Sequence, residues 1–212
     1  MRLILASTSP RRREILALLG LPFEVIDPEF DEIASEHLSI EDEVLDFAAA
    51  KARSVARKNP RSIVIGSDTM ISLNGHKIGK PNDIDDARRI LRALAGRTHR
   101  ICTSVVILNG HENGTEGPGL QVVETVFVEM REYTEEEIEW YLALDESLDK
   151  AGAYSIQGEG RKLIASIRGD YLAAVGMPLR PIADYLESRG VSFDLDVDKL
   201  YADKSVLNWH SF

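Results

Sequence analysis

The chain has 212 residues, 44% of them hydrophobic, which is enough for one sizeable core with or without an added lobe. Its formal net charge of −10 argues against a general nucleic-acid-binding surface, so a local basic cluster points to a small anionic ligand. The single cysteine, Cys102, rules out a disulfide framework, and no apolar run has the length of a signal peptide or a membrane span, so a soluble, cytoplasmic protein is expected.

Residues 3–5 read as a strand, followed by Ser7-Thr8-Ser9-Pro10-Arg11-Arg12-Arg13. Ile15, Leu16, Leu18 and Leu19 then recur at helical spacing, with Gly20 as a stop. Ser9 suits an N-cap and Pro10 the first helical position, where its missing N–H costs nothing. The arginines would then sit at the positive end of the helix dipole, where cations are disfavoured. Hydroxyls, backbone N–H groups and clustered guanidiniums together call for an anion, and a phosphate chain suits them best.

Residues 23–26 read as a short strand broken at Asp27-Pro28, with the carboxylates Glu29, Asp31 and Glu32 beyond it. Ser39 and Asp42 resemble a capping box opening a helix to about Asn59-Pro60. This helix carries Lys51, a residue type that taken alone is ordinary solvated surface. Residues 62–65 read as a buried strand with Gly66-Ser67-Asp68-Thr69 at its C-terminal end, the position where open α/β sheets place chemistry. A hairpin follows, with Asn74-Gly75 as a type I′ turn. In Gly79-Lys80-Pro81 the lysine stands between two residues that fix the backbone. The chain has no Walker A pattern.

Asp83, Asp85 and Asp86 open a helix that ends at Gly96, with Arg88, Arg89 and Arg92 following along it. Residues 101–108 and 120–130 read as long strands around a glycine-rich connection at 109–119, expected to be mobile. Thr134 and Glu137 form another capping box. Residues 151–160 are rich in small side chains, with Gln157 as the one amide. A strand at 162–167, a turn at Gly169-Asp170 and a helix at 178–189 complete the body. The tail at 191–212 has no clear period, and its Trp209 and Phe212 are expected to dock on the body or on a partner. No repeat or linker interrupts the chain, which suggests one α/β unit, two-lobed around a cleft.

Arg11, Arg12, Lys51 and Lys80 are together enough to balance a nucleoside triphosphate, and Glu32 with Asp68 is a carboxylate pair of the kind a Mg²⁺ site needs. The histidines form no His-x-x-x-His pair, and no Gly-x-Ser-x-Gly elbow exists, so zinc chemistry and covalent hydrolysis are poorly supported.

The sequence resembles the Maf family of nucleotide pyrophosphatases over roughly residues 2–190. The resemblance rests on Leu-Ala-Ser-x-Ser-Pro-Arg-Arg at 5–12, Asp31-Glu32, Lys51-Ala52, Ser67-Asp68-Thr69, Gly79-Lys80-Pro81 and Gly96-x-x-His99. It continues through Asp149-Lys150-Ala151-Gly152-Ala153-Tyr154-x-Ile156-Gln157-Gly158 and Val175-Gly176-x-Pro178-Leu179. It implies a mixed, elongated α/β sheet with flanking helices, two lobes around a central cleft and kinship with inosine-triphosphate pyrophosphatases. The catalytic domain would span 1–190, with 191–212 as an extension of unknown role.

The resemblance further implies a homodimer that uses Mg²⁺ or Mn²⁺ to hydrolyse a nucleoside triphosphate to the monophosphate and pyrophosphate. No membrane or nucleic-acid polymer is implied as a partner. Carried over by position, Asp68 would activate water, Glu32 would help to hold the metal, and Arg12, Lys51 and Lys80 would bind the phosphates. Lys80 is counted with Asp68 and Glu32 as catalytic, and Ser7 and Ser9 join the anion cradle. Arg11, Thr69 and Gln157 resemble the branch that acts on dTTP, UTP and modified pyrimidine nucleotides, Gln157 and Thr69 being able to pair with an imide edge. The rival readings are a nucleotide-binding regulator of septum formation with little turnover, and a sugar-nucleotide or phosphosugar enzyme.

Overall fold

The buried runs Leu3 to Ala6 and Ile63 to Ile65 lie side by side in the middle of a sheet. The structure, a computed structural model, describes residues 2–30, 37–110 and 116–212. Its seven strands are β1 (Arg2–Ala6), β2 (Glu24–Val25), β3 (Ser62–Leu73), β4 (His76–Ile78), β5 (Thr98–Gly110), β6 (Glu116–Met130) and β7 (Ile164–Arg168). They are ordered β2-β1-β3-β5-β6-β7, with β4 folded back on β3. The pairs β1–β2 and β1–β3 are parallel and the others antiparallel, which gives a mixed sheet.

Both faces at the sheet's centre are buried, which explains why β1 and the start of β3 read as unbroken apolar runs. Leu3, Leu5, Ile63 and Ile65 enter the larger core. There they meet side chains of α1 (Pro10–Ala17), α3 (Ile84–Leu94), α4 (Glu135–Leu142), α5 (Tyr171–Val175) and α6 (Arg180–Ser188). Ile4, Ala6 and Val64 face the other way, against Ala48, Ala52 and Val55 of α2 (Ile40–Ala56). The mixed α/β architecture with flanking helices is as expected.

Most of the local signals act as read. Ser9 accepts from the Arg12 N–H at the head of α1, and Ser39 from the Asp42 N–H at the head of α2. Thr134 and Glu137 form the full reciprocal box on α4. Asn74 and Gly75 have φ of 51° and 83°, as a type I′ turn requires.

Four expectations are corrected. Gly66 to Thr69 is not a strand end: β3 runs unbroken for 12 residues. It pairs with β1 only as far as Ala6–Gly66, but its ladder with β5 continues from Ile63–Asn109 to Ser72–Arg100, so the backbone stays extended where β1 stops. The strand expected at 162–167 begins at Ile164, because Lys162 and Leu163 belong to a 3-10 turn. The helix expected at 178–189 spans Arg180–Ser188. The Gly169-Asp170 turn is the start of α5: Asp170 Oδ1 accepts from the N–H groups of Leu172 and Ala173. In the glycine-rich connection, residues 111–115 lie outside the described residues, while 109–110 and 116–119 belong to β5 and β6.

The tail has more order than its sequence suggested. It forms α7 (Val197–Asp203) and docks on the body, with Leu200 and Trp209 buried in the larger core. No helix among the described residues is long and apolar enough to cross a membrane.

Candidate active site

Where β1 ends, the chain turns through Ser7 to Ser9 into α1, and this corner is tied by hydroxyls. The Ser9 N–H donates to Ser7 Oγ at 3.2 Å, and Ser9 Oγ in turn caps the helix. Arg12 turns back from the first turn of α1. Its Nε donates to the Gly176 carbonyl at 3.0 Å, and its terminal nitrogens to Ser7 Oγ at 3.4 Å and Thr69 Oγ1 at 3.2 Å. The Thr69 and Thr103 hydroxyls are 3.1 Å apart, and Thr103 also donates to the Ala173 carbonyl at 2.7 Å. Among the described contacts, the guanidinium at the positive end of this helix is held by a carbonyl and two hydroxyls.

Gly176 makes this geometry possible. Its φ of 137° is open to glycine and strained for other residues, and it turns the carbonyl after α5 towards Arg12 and towards Ser67 Oγ, which donates at 3.2 Å.

Lys51 and Asp68 meet from opposite elements. Lys51 comes from α2 and Asp68 from the part of β3 that outruns β1, and Lys51 Nζ donates to Asp68 Oδ1 at 2.6 Å. Both are buried, with 8% and 6% of their surface exposed. The approach depends on Gly66, where a Cβ would stand 2.3 Å from the Ala48 carbonyl oxygen of α2.

These groups border a cavity of about 550 Å³. The β3–β4 hairpin brings Lys77 and Lys80 to it, and Lys77 pairs with the buried Glu43 of α2. The opposite wall is the segment from Asp149 to Gln157, with Gln157 half-buried. Tyr154 in this wall is hydrogen-bonded to His99 Nε2 at 2.8 Å. Burial lowers the His99 pKa to about 4, so the imidazole is neutral, and burial also raises the Tyr154 phenol above its ordinary range. His99 thus props the wall as an uncharged partner.

Of the residues singled out from sequence, Ser9, Arg11, Arg12, Lys51, Asp68, Thr69, Lys80 and Gln157 border this one cavity, and Ser7 stands behind Arg12. Glu32 lies outside the described residues. Lys51 is not the ordinary surface lysine its helix position suggested, whereas Arg13 is exposed, as befits a bystander. Glu43, Lys77 and Lys150 also line the cavity and were missed. Glu43 and Phe47 stand eight and four residues before Lys51 on α2, so helical spacing from Lys51 was a usable signal for them. Lys77, in a short hairpin strand, carried none.

Among the described residues no three His, Cys, Asp or Glu side chains cluster as a metal site. The donor chemistry still suits a hard divalent ion, which binds through one or two carboxylates and takes its other ligands from phosphate and water. Asp68 is such a carboxylate, on the cavity that Arg12 and Lys80 also line.

Comparison with known proteins finds relatives over nearly the whole chain. The "dTTP/UTP pyrophosphatase" of Akkermansia muciniphila is 42% identical over 189 residues, covering 88% of this chain and 96% of its own length. That of Moorella thermoacetica is 43% identical over 190 residues, covering 90% and 96%. A solved nucleoside-triphosphatase/dITP/XTP pyrophosphatase from Mycobacterium abscessus covers 90% of this chain and 96% of its own at 16% identity, with a TM-score of 0.41. The family model of Maf-like proteins matches residues 2–189, and the chain belongs to that family.

Proposed function

We propose that the protein hydrolyses nucleoside triphosphates, dTTP and UTP before others, to the monophosphate and pyrophosphate. The observation that carries this reading is the buried Lys51–Asp68 pair beside a cavity that also gathers Arg12 and Lys80. Relatives about 40% identical bear the name dTTP/UTP pyrophosphatase, which supports the same choice of substrate.

In this reading Arg12, Lys51 and Lys80 hold the triphosphate, and Ser7 and Ser9 order the loop beneath it. Asp68 takes a proton from the water that attacks the α-phosphorus. As that oxygen–phosphorus bond forms, the α–β bridge breaks and pyrophosphate leaves with the bridging electron pair. The surrounding cations stabilise the charge gathering on it. A divalent ion, Mg²⁺ or Mn²⁺, held by Asp68 and by Glu32, would add polarisation of the phosphoryl oxygens. Lys51 orients the Asp68 carboxylate as well as meeting phosphate charge.

Gln157 and Arg11 serve base choice. The Thr69 hydroxyl lies within reach of Arg12 and Thr103, so its contribution is made by ordering the arginine. The Gln157 amide, with one donor and one acceptor edge, is the group that matches the imide of uracil or thymine. A cytoplasmic homodimer belongs to the same proposal, and light scattering of the purified protein tests the dimer.

The direct test is pyrophosphate release from a panel of triphosphates with Mg²⁺. Turnover of dTTP and UTP well above that of purine triphosphates is expected, and Asp68→Asn should lower kcat by about a hundredfold or more. Rapid turnover of another base with none from dTTP or UTP would refute the substrate assignment. Near-wild-type kcat in Asp68→Asn would remove it from the chemistry.

A further inference from the structure

Residues 190–212 lie beyond the stretch matched by the family, yet they contact Gln157 in the cavity lining and the helix α5, whose C-terminal end also lines the cavity. Asn208 Nδ2 donates to the main-chain carbonyl of Gln157 at 2.8 Å. One residue earlier, the Leu207 carbonyl accepts from the Tyr171 hydroxyl at 2.6 Å. One residue later, Trp209 stacks on the Tyr171 ring at 5.4 Å with 15° between the planes.

The backbone departs from its usual conformations to make these contacts. Leu207 and Asn208 have φ of 54° and 65°, two successive left-handed residues that are not glycine. Such residues persist only where their surroundings hold them, and here a hydrogen bond to the body falls on each. The Tyr201 hydroxyl of α7 adds a third anchor by donating to Asp170 Oδ2 at 2.9 Å. Asp170 caps α5, and α5 leads directly to Gly176, whose carbonyl aims Arg12.

We propose that the tail positions the substrate site: Asn208 fixes the loop that presents Gln157, and the Tyr171–Leu207–Trp209 contact fixes α5 and thereby the carbonyl that orients Arg12. Asn208 touches no reacting atom; it acts through Gln157. Base discrimination by the Gln157 amide needs its position held to a fraction of an ångström, and the loop at 155–158, in which Gln157 is half-buried, gains one of its restraints from Asn208. The link to base choice rests on the function proposed above, whereas the mechanical restraint does not.

The test uses the full chain with Asn208→Asp, which removes the donor but keeps the size and the tolerance of positive φ, and Asn208→Gly, which keeps only the backbone. In both, preference for UTP over CTP should fall about tenfold through KM, with kcat within about twofold of wild type. Amide exchange across residues 155–160 should quicken while the melting temperature holds. Gln157→Ala is the reference. If it relaxes base preference and the Asn208 variants do not, the positioning role is overturned and the function stands. If Gln157→Ala leaves base preference unchanged, the Gln157 assignment falls, and exchange decides: faster exchange at 155–160 sustains the restraint, and unchanged exchange overturns it.

Discussion

Lys51 and Asp68 are 2.6 Å apart with little of either exposed, so each charge helps to make burial of the other tolerable. Removing two ions from water costs several kcal/mol per ion, and their attraction largely offsets that cost only while both remain. Lys51→Met should therefore destabilise the protein by about 3 kcal/mol, since it leaves the carboxylate buried without its ammonium. Lys51→Met/Asp68→Leu should recover most of that loss and have no detectable turnover. Urea unfolding of the two variants and of Asp68→Leu gives the coupling directly. A double variant no more stable than Lys51→Met would show that the pair is not an isolated charge couple. The expected pattern is that of a site whose stability is held down by its chemistry.

At the scale of elements, the meeting of α2 and β3 decides whether that pair exists at all. Gly66 is needed for closeness and not for a turn: an added Cβ would stand 2.3 Å from the Ala48 carbonyl oxygen and 2.9 Å from Ala52 Cβ. The contacted atoms belong to the helix backbone and to a side chain with no freedom, so relief requires α2 to lift off the sheet. Gly66→Ala should cost about 3 kcal/mol and lower kcat more than a stability loss alone explains, because Lys51 moves with the helix. If the variant melts lower but keeps wild-type kcat, α2 is not what sets the Lys51–Asp68 distance. This glycine also shows why the sequence misled at β3. Gly-Ser-Asp-Thr has the composition of a turn, and local composition carries no information about a partner 40 residues on that keeps the strand extended. The N-caps, the Asn74-Gly75 turn and the doubly buried runs were legible because their causes are local or periodic. Asp170 was legible only as a turn residue, since the five-residue α5 it caps is too short to show a period. The cavity's residues were legible through shared motifs. Glu43 was within reach through its helical spacing from Lys51, whereas Lys77 and the tail's grip on Gln157 were not, because each is a contact between distant segments with no spacing of its own.

Across the whole molecule, charge is unevenly placed. The chain carries −10, yet among the described residues the cavity is lined by Arg11, Arg12, Lys51, Lys77, Lys80 and Lys150 against Glu43, Asp68 and Asp149, a local excess of three positive charges. A cleft with an excess of one sign and low-dielectric walls concentrates its field, so a highly charged triphosphate is drawn to it against the overall negative charge of the chain. Salt weakens both effects, but the attraction acts over shorter distances and in a more enclosed space. The KM for UTP should therefore rise about three- to tenfold between about 0.05 and about 0.5 M salt, with kcat little changed, because Lys51 and Asp68 are buried and poorly screened. Potassium and sodium chloride should act alike, as befits ionic strength rather than a specific ion. Steady-state kinetics at fixed free Mg²⁺ measures this, and a KM that stays flat across the range would mean that short-range hydrogen bonds, not the field of the cavity, bring the triphosphate in.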